Sequence, residues 1–188
     1  MEATHGRRSV RACTAKPVDP VTIRALLASA VRSPTAVHLE PWAFAIVKDR
    51  DTLKSPSARA KPLFLEDVRR AHLDRGGHAS DSFARPEFDI FYEAGTLIVI
   101  CGTSTGPLVE ADCWLSAENR MPAAGAMELG TCVIGSAGPR LNTDQVKREL
   151  GIAADGSAIV PIVVGTPADV APATTRKEPH ILTWLTSH

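Results

Sequence analysis

Two uncharged apolar runs, TLIVIC at 96–101 and AIVPIVVG at 158–165, most narrowly limit what this chain folds into. Each has the length and β-branched content of a buried strand, and each falls far short of the roughly 20 apolar residues that a membrane-spanning helix needs. A soluble chain built around a sheet is the expectation. AFAIVK (43–48) and TCVIG (131–135) read as further strands, being short, bounded and apolar. Pro161 has no N–H to give a ladder, which predicts an edge position or a bulge in its strand.

The helices announce themselves by caps and period. Asp19 can cap a helix that has Pro20 at its first position, and Ile23, Leu26, Leu27, Ala30 and Val31 then recur at helical spacing up to Ser33-Pro34. LFLEDVRRAHL (63–73) reads as another helix, and a short one is expected from about Thr143 to Leu150, stopping at Gly151. The longest helical run, Glu110 to Leu129, is Ala-, Met- and Leu-rich on several faces and belongs at the centre of the fold, with Pro122 expected to kink or split it. Residues 74–88 read as a long mobile loop of the kind that covers a site. From Thr166 onward the chain is rich in Pro, Ala and Thr, reads as extended, and needs a partner surface.

Helices and strands mix without regular βαβ alternation and without an internal repeat, so the fold class is α+β. With 188 residues and 44% hydrophobic content, one buried core is the expectation, hence a single domain over 1–188. Lys plus Arg and Asp plus Glu both total 21, so no overall basic field exists to hold nucleic acid or an acidic membrane. RRSVRA near the N-terminus invites a twin-arginine export reading, but CTAKPVDPVTIRALL follows, with Lys, Asp and two prolines where an apolar region should stand. Four cysteines without a C-x-x-C pair suit a reducing cytoplasm.

Arg7, Arg8 and Arg11, with Ser9 among them, supply planar forks and a hydroxyl that suit phosphate binding; a solvated basic N-terminus is the plainer alternative. The six histidines are dispersed without i, i+4 pairing, and no cysteine has the surroundings of an activated nucleophile. No metal site and no catalytic side chain are therefore named. Asp112 and Asn119 on the central helix read as structural, reaching an interface or a cap, and Trp42 and Trp114 as core or interface anchors.

The stretch RRSVRACTAKPVDPVTIRALLASAVRSPTAVHLEPWAFAIV resembles the opening of the FMN-dependent nitroreductase family: Arg-Arg-Ser-x-Arg, Pro-Val, an amphipathic helix, then a loop ending in Pro-Trp before a strand. ADCWLSAENRMPAAGAMELGTCVIG is similar to that family's central helix and the strand after it, and VPIVVGTPADVAPATTRKEP to its Gly-x-Pro turn leading to a late basic residue. The resemblance implies a three-layer sandwich with a mostly antiparallel central sheet and helices on both faces. It also implies a homodimer, with FMN at the subunit interface and each C-terminal segment wrapping its partner.

By the same resemblance, Arg7, Arg8, Ser9 and Arg11 would hold the ribityl phosphate and the polar edge of the flavin, with Arg176 closing from the far end of the chain. Pro34, Thr35 and Ala36 would line the flavin from the partner subunit, and Val133, Ile134 and Gly135 would lie close to the ring or ribityl chain. His38 and Glu40 stand where the family has Asn and Gln, replacing two neutral amides by a titratable ring and an acid. A protonated His38 beside the flavin would favour its reduced form; an ionised Glu40 would act in the opposite sense.

The activity implied is passage of hydride from NADH or NADPH, as co-substrate, to an electron-poor small-molecule acceptor such as a nitroarene or quinone. A flavin-sequestering protein with little turnover, and an FMN-dependent dehydrogenase of unknown substrate, are the competing readings.

Overall fold

The computed structural model describes residues 2–48, 53, 85 and 88–186. The helix expected at 63–73 and nearly all of the loop expected at 74–88 lie outside these residues. The elements, in chain order, are α1 (Glu2–Gly6), α2 (Pro20–Ala30), β1 (Trp42–Val47), β2 (Thr96–Gly102), α3 (Pro107–Ala126), β3 (Gly130–Val133), α4 (Gly138–Leu141), α5 (Asp144–Glu149) and β4 (Ser157–Gly165). The strands form one antiparallel sheet in the order β1-β2-β4-β3.

The sheet is covered on both faces, which is why β2 and β4 are apolar at nearly every position. Ile98, Ile100, Val160, Ile162 and Val164 point to one side, where Ile23 and Leu26 of α2 and Cys113, Ala117 and Ala124 of α3 meet them. Leu97, Val99, Cys101, Cys132 and Val163 point to the other, against Ile90, Phe91, Leu141 and Val146. Helices therefore lie on both faces, and the α+β sandwich expected from the sequence is present.

Pro161 is not at an edge: β4 lies between β2 and β3. It is tolerated because the β3 ladder ends one residue short, at Val133 opposite Ile162, and there the Pro161 carbonyl accepts the Ile134 N–H at 2.8 Å. The bulge expected beside it does occur. Ile100 faces Val160 whereas Cys101 faces Ala158, so Ile159 is an extra residue in β4. A one-residue slip exchanges the faces of everything beyond it, and Ala158 accordingly joins the second core while Ile159 packs on the first.

Asp19 caps α2 as expected, accepting the Val21 and Thr22 N–H groups at 2.9 and 3.0 Å. The Thr22 hydroxyl donates to the same carboxylate at 2.6 Å, and these bonds, that from the hydroxyl foremost, lower the Asp19 pKa. The helix α5 stops at Gly151, which takes φ of +70°. The central helix departs from expectation in starting earlier, at Pro107, and in running through Pro122 as one element. The carbonyl that Pro122 leaves without a helical donor belongs to Glu118, which is exposed and can meet water instead. Trp114 stands on the outer, exposed side of this helix and so is no part of the core. No helix among the described residues is long and apolar enough to cross a membrane.

Candidate functional site

The site is assembled by backbone pairing at the β3 edge of the sheet. Ser9 forms a parallel bridge with Thr131 and Cys13 an antiparallel one with Pro167, just past β4. Val10 N–H donates to the Thr131 carbonyl, Thr14 N–H to Thr166, and Ala168 N–H to Ala12, each at 2.9 Å. The N-terminal arm is thus threaded between β3 and the chain leaving β4, and the tail that follows is brought beside the arginines.

Close approach of the arm requires Gly130. A Cβ there would lie 2.6 Å from the Val10 Cβ. Gly130→Ala should push the arm off β3, lowering the melting temperature by roughly 5 °C for an overpacking cost of about 2 kcal/mol. Trypsin should also cleave faster after Arg7, Arg8 and Arg11. An unchanged melting curve and digestion rate would mean that the arm is not held by this contact.

The result is a hollow of about 540 Å³ lined by Arg8, Ser9, Arg11, Asp169, Thr174 and Arg176 together with apolar neighbours. A second hollow of about 660 Å³ shares Arg8, Val10 and Asp169 with it and continues over Arg7, Met121, Leu129 and Thr131. Both lie in the size range of small-molecule sites. In the first, three guanidinium groups face one carboxylate, that of Asp169, a balance that favours an anion. Arg8 is steadied by its own bonds: Nη1 donates to the carbonyls of His5 at 2.7 Å and Arg7 at 2.9 Å, at the end of α1. Arg11 also lies beside the Tyr92 phenol and the Cys132 thiol, where its charge works against the rise that burial imposes on both groups, and it lines a further hollow of about 480 Å³ beside Tyr92 and Phe88.

The structure therefore brings Arg7, Arg8, Ser9, Arg11 and Arg176 together across some 170 residues of sequence, a count set by Arg7 and Arg176 themselves. The other candidates do not line either arginine hollow. Ile134 has its side chain in the core, its N–H committed to Pro161 and its carbonyl accepting the Ala137 N–H at 3.0 Å, which leaves only that carbonyl's second lone pair to offer a ligand. Val133 is half-buried against the first core, and Gly135 is exposed, with nothing within 4 Å of where a Cβ would be.

Pro34, Thr35, Ala36 and His38 lie in the loop between α2 and β1. That loop is strained: Val37, His38 and Glu40 have φ of 46°, 59° and 46°, a region that costs non-glycine residues of order 1–3 kcal/mol each and most disfavours a β-branched side chain. Val37 is 84% exposed, and His38 and Glu40 are exposed as well, so no burial of these side chains offsets the cost within one chain. Strain of this kind points to a functional constraint on the loop.

Covalent chemistry by thiols has no footing in this arrangement. All four cysteines are free and buried; burial pushes Cys101 up to about 11 and Cys113 to about 12, and raises Cys13 and Cys132 too. They stay protonated at neutral pH.

Sequence reading missed Asp169 and Thr174, which carry no local signal of a site, and the contact of Asp112 with the strained loop. The Ala36 N–H donates to both carboxylate oxygens of Asp112 at 3.1 Å. Asn119 and Ser29 exchange bonds with each other's backbone carbonyls at 3.4 and 3.2 Å. The structural roles expected for Asp112 and Asn119 are thereby specified: they bind α2 and the loop after it to α3.

A family model described as the nitroreductase family matches residues 4–166. Among solved structures, a nitroreductase with bound FMN from Bacteroides fragilis superposes with a TM-score of 0.79 at 21% identity, covering 99% of this chain and 97% of that one. A nitroreductase with bound FMN from Desulfitobacterium hafniense gives 0.83 at 16% identity, over 98% and 97%. An FMN-dependent nitroreductase from Clostridium difficile gives 0.75 at 20% identity, over 96% of each chain.

Proposed function

This chain belongs to the nitroreductase family, and on that premise we propose that it is an FMN-dependent oxidoreductase passing hydride from NADH or NADPH to an electron-poor small molecule of the nitroarene or quinone kind. The observation that carries the proposal is the convergence of Arg8, Ser9, Arg11 and Arg176 on one hollow. A phosphate dianion fits that donor set, being matched by planar forks and a hydroxyl. FMN, when bound, supplies the hydride chemistry itself.

The protein's part is to bind, orient and shield. Arg8 and Arg176, from opposite ends of the chain, would hold the phosphate, with Ser9 donating one more bond and Arg7 lining the adjoining hollow. Arg11 would serve the flavin's polar edge from its place beside Tyr92. The Val133–Gly135 backbone and the loop of Pro34, Thr35, Ala36 and His38 would border the ring.

One protomer does not bring that loop into the hollow of the arginines, and the family reading of a homodimer with shared sites accounts for this. Surface supports the dimer as well. Leu108, Trp114 and Leu115 of α3 are exposed, as are Val37, Leu39 and, in the tail, Leu182, Trp184 and Leu185. An apolar set of this extent is covered when two copies exchange their C-terminal segments. The cytoplasm is the compartment proposed, since it supplies both nucleotides and keeps four thiols reduced.

The purified protein is expected to carry yellow flavin absorbance or to acquire it with added FMN. Anaerobic NADH or NADPH should bleach it, and a nitroarene or quinone should restore it. Failure to take up FMN would defeat the proposal. A bound flavin that neither nucleotide bleaches would favour the sequestering protein or the dehydrogenase instead.

A further inference from the structure

Thr35 begins the single helical turn Ala36–His38 from the position where a threonine hydroxyl ordinarily caps the first free N–H groups, yet it makes no such bond. Asp112, 76 residues further along, accepts the Ala36 N–H through both carboxylate oxygens at 3.1 Å. This carboxylate is 3% exposed and stands one turn into α3, whose neighbouring Cys113 and Ala117 are packed on the sheet. At the loop's other end the Pro41 carbonyl accepts the Thr103 N–H at 2.8 Å and its hydroxyl at 3.2 Å, just past β2. Between these two clamps lie the three left-handed residues Val37, His38 and Glu40.

We propose that Asp112 is a positioning residue for the flavin-facing loop: by capping the Ala36 turn from α3 it fixes the strained backbone and leaves the Thr35 hydroxyl available to a ligand. The inference rests on the reading that residues 34–38 face FMN. A conformation this costly persists where bonds from rigid elements over-determine it. Asp112 and Thr103 supply such bonds from a helix and a strand end, so the loop arrives at the cofactor ordered and binding spends nothing on ordering it. Loss of the Asp112 bond would let the turn relax toward right-handed backbone and swing Thr35 and Ala36 from their places.

The test uses the full-length protein, with FMN affinity read by quenching of flavin fluorescence, visible circular dichroism of the bound flavin, and thermal melting as the folding control. Asp112→Ala is expected to weaken FMN binding about tenfold or more, the scale of one bond to a charged group. Asp112→Asn should stay within about threefold of wild type, because its amide oxygen accepts the same N–H. Ala36→Pro removes the donor while leaving Asp112 in place, and the residue before it suits proline: Thr35, at φ −133° and ψ 152°, has the extended conformation that precedes proline. It should match Asp112→Ala, and the double variant should lose no more than the larger single loss. Wild-type affinity and dichroism in Asp112→Ala and Ala36→Pro, or losses that add in the double variant, would overturn the proposal. A wild-type protein that takes up no FMN overturns the flavin reading, and this one with it, before any variant is made.

Discussion

Arg120→Met should raise the melting temperature by roughly 5–10 °C, because a buried ionic group replaced by a hydrophobic one of similar volume often gains 1–4 kcal/mol and a chain of this size gains about 2–4 °C per kcal/mol. Arg120 lies on the sheet-facing side of α3 between Ala117 and Ala124 and is wholly buried within one protomer. Its Nε, Nη1 and Nη2 atoms have no hydrogen-bond partner among the described residues. Since none of its surface is accessible, no second subunit or ligand reaches it without opening the core.

Burial lowers the Arg120 pKa to about 9, and the sign of the pH effect follows. Below about pH 9 the group is charged in both folded and unfolded chains, and the full desolvation cost is present. Above that, the folded chain sheds its proton first, the unfolded chain binds more protons, and stability from this group rises with pH. The advantage of Arg120→Met should therefore be largest at neutral pH and narrow by pH 10. Calorimetry at both values checks this, with Arg120→Ala as the comparison that leaves a cavity and gains less. A lower melting temperature for the Met variant would show that the guanidinium has a partner in solution.

Arg176→Glu should weaken FMN binding about a hundredfold, through loss of a charge-assisted bond to the phosphate and its replacement by repulsion. Arg8→Glu should act alike, since both residues line the same hollow. The diagnostic comparison is riboflavin, which has the same ring and ribityl chain without the phosphate, and its affinity should change little. Titration calorimetry of both ligands at two salt concentrations is the measurement, the FMN affinity of the wild type falling more steeply with salt than that of either variant. Equal losses for FMN and riboflavin would mean that the arginines support the fold of the site instead of binding phosphate.

Much of the site was legible because its components are local. Arg7, Arg8, Ser9 and Arg11 form a compact motif, and the tail's Arg176 could be added only through a family resemblance, since nothing near it in sequence marks it out. Asp112 was visible as a polar residue on an apolar helix, but its partner, the Ala36 N–H, belongs to the backbone and leaves no trace in residue type. Nothing in the residues around Arg120 marks it as buried before packing places it against the sheet.

The residues of this chain by themselves determined where all four strands of the sheet and the helices α2 and α5 form, because caps, proline positions and apolar periods act within a few residues: Asp19 and Pro20 start α2, Gly151 ends α5, and TLIVIC builds a strand buried on both faces. Only the tertiary structure decided that β4 lies inside the sheet despite Pro161, and that α3 continues through Pro122. It alone put Arg8 beside Arg176 and pinned a strained loop to Asp112. Each of these depends on which distant backbone groups find one another. A missing N–H is harmful or harmless according to what would have received it, and the order of strands, not the composition of any one of them, answers that.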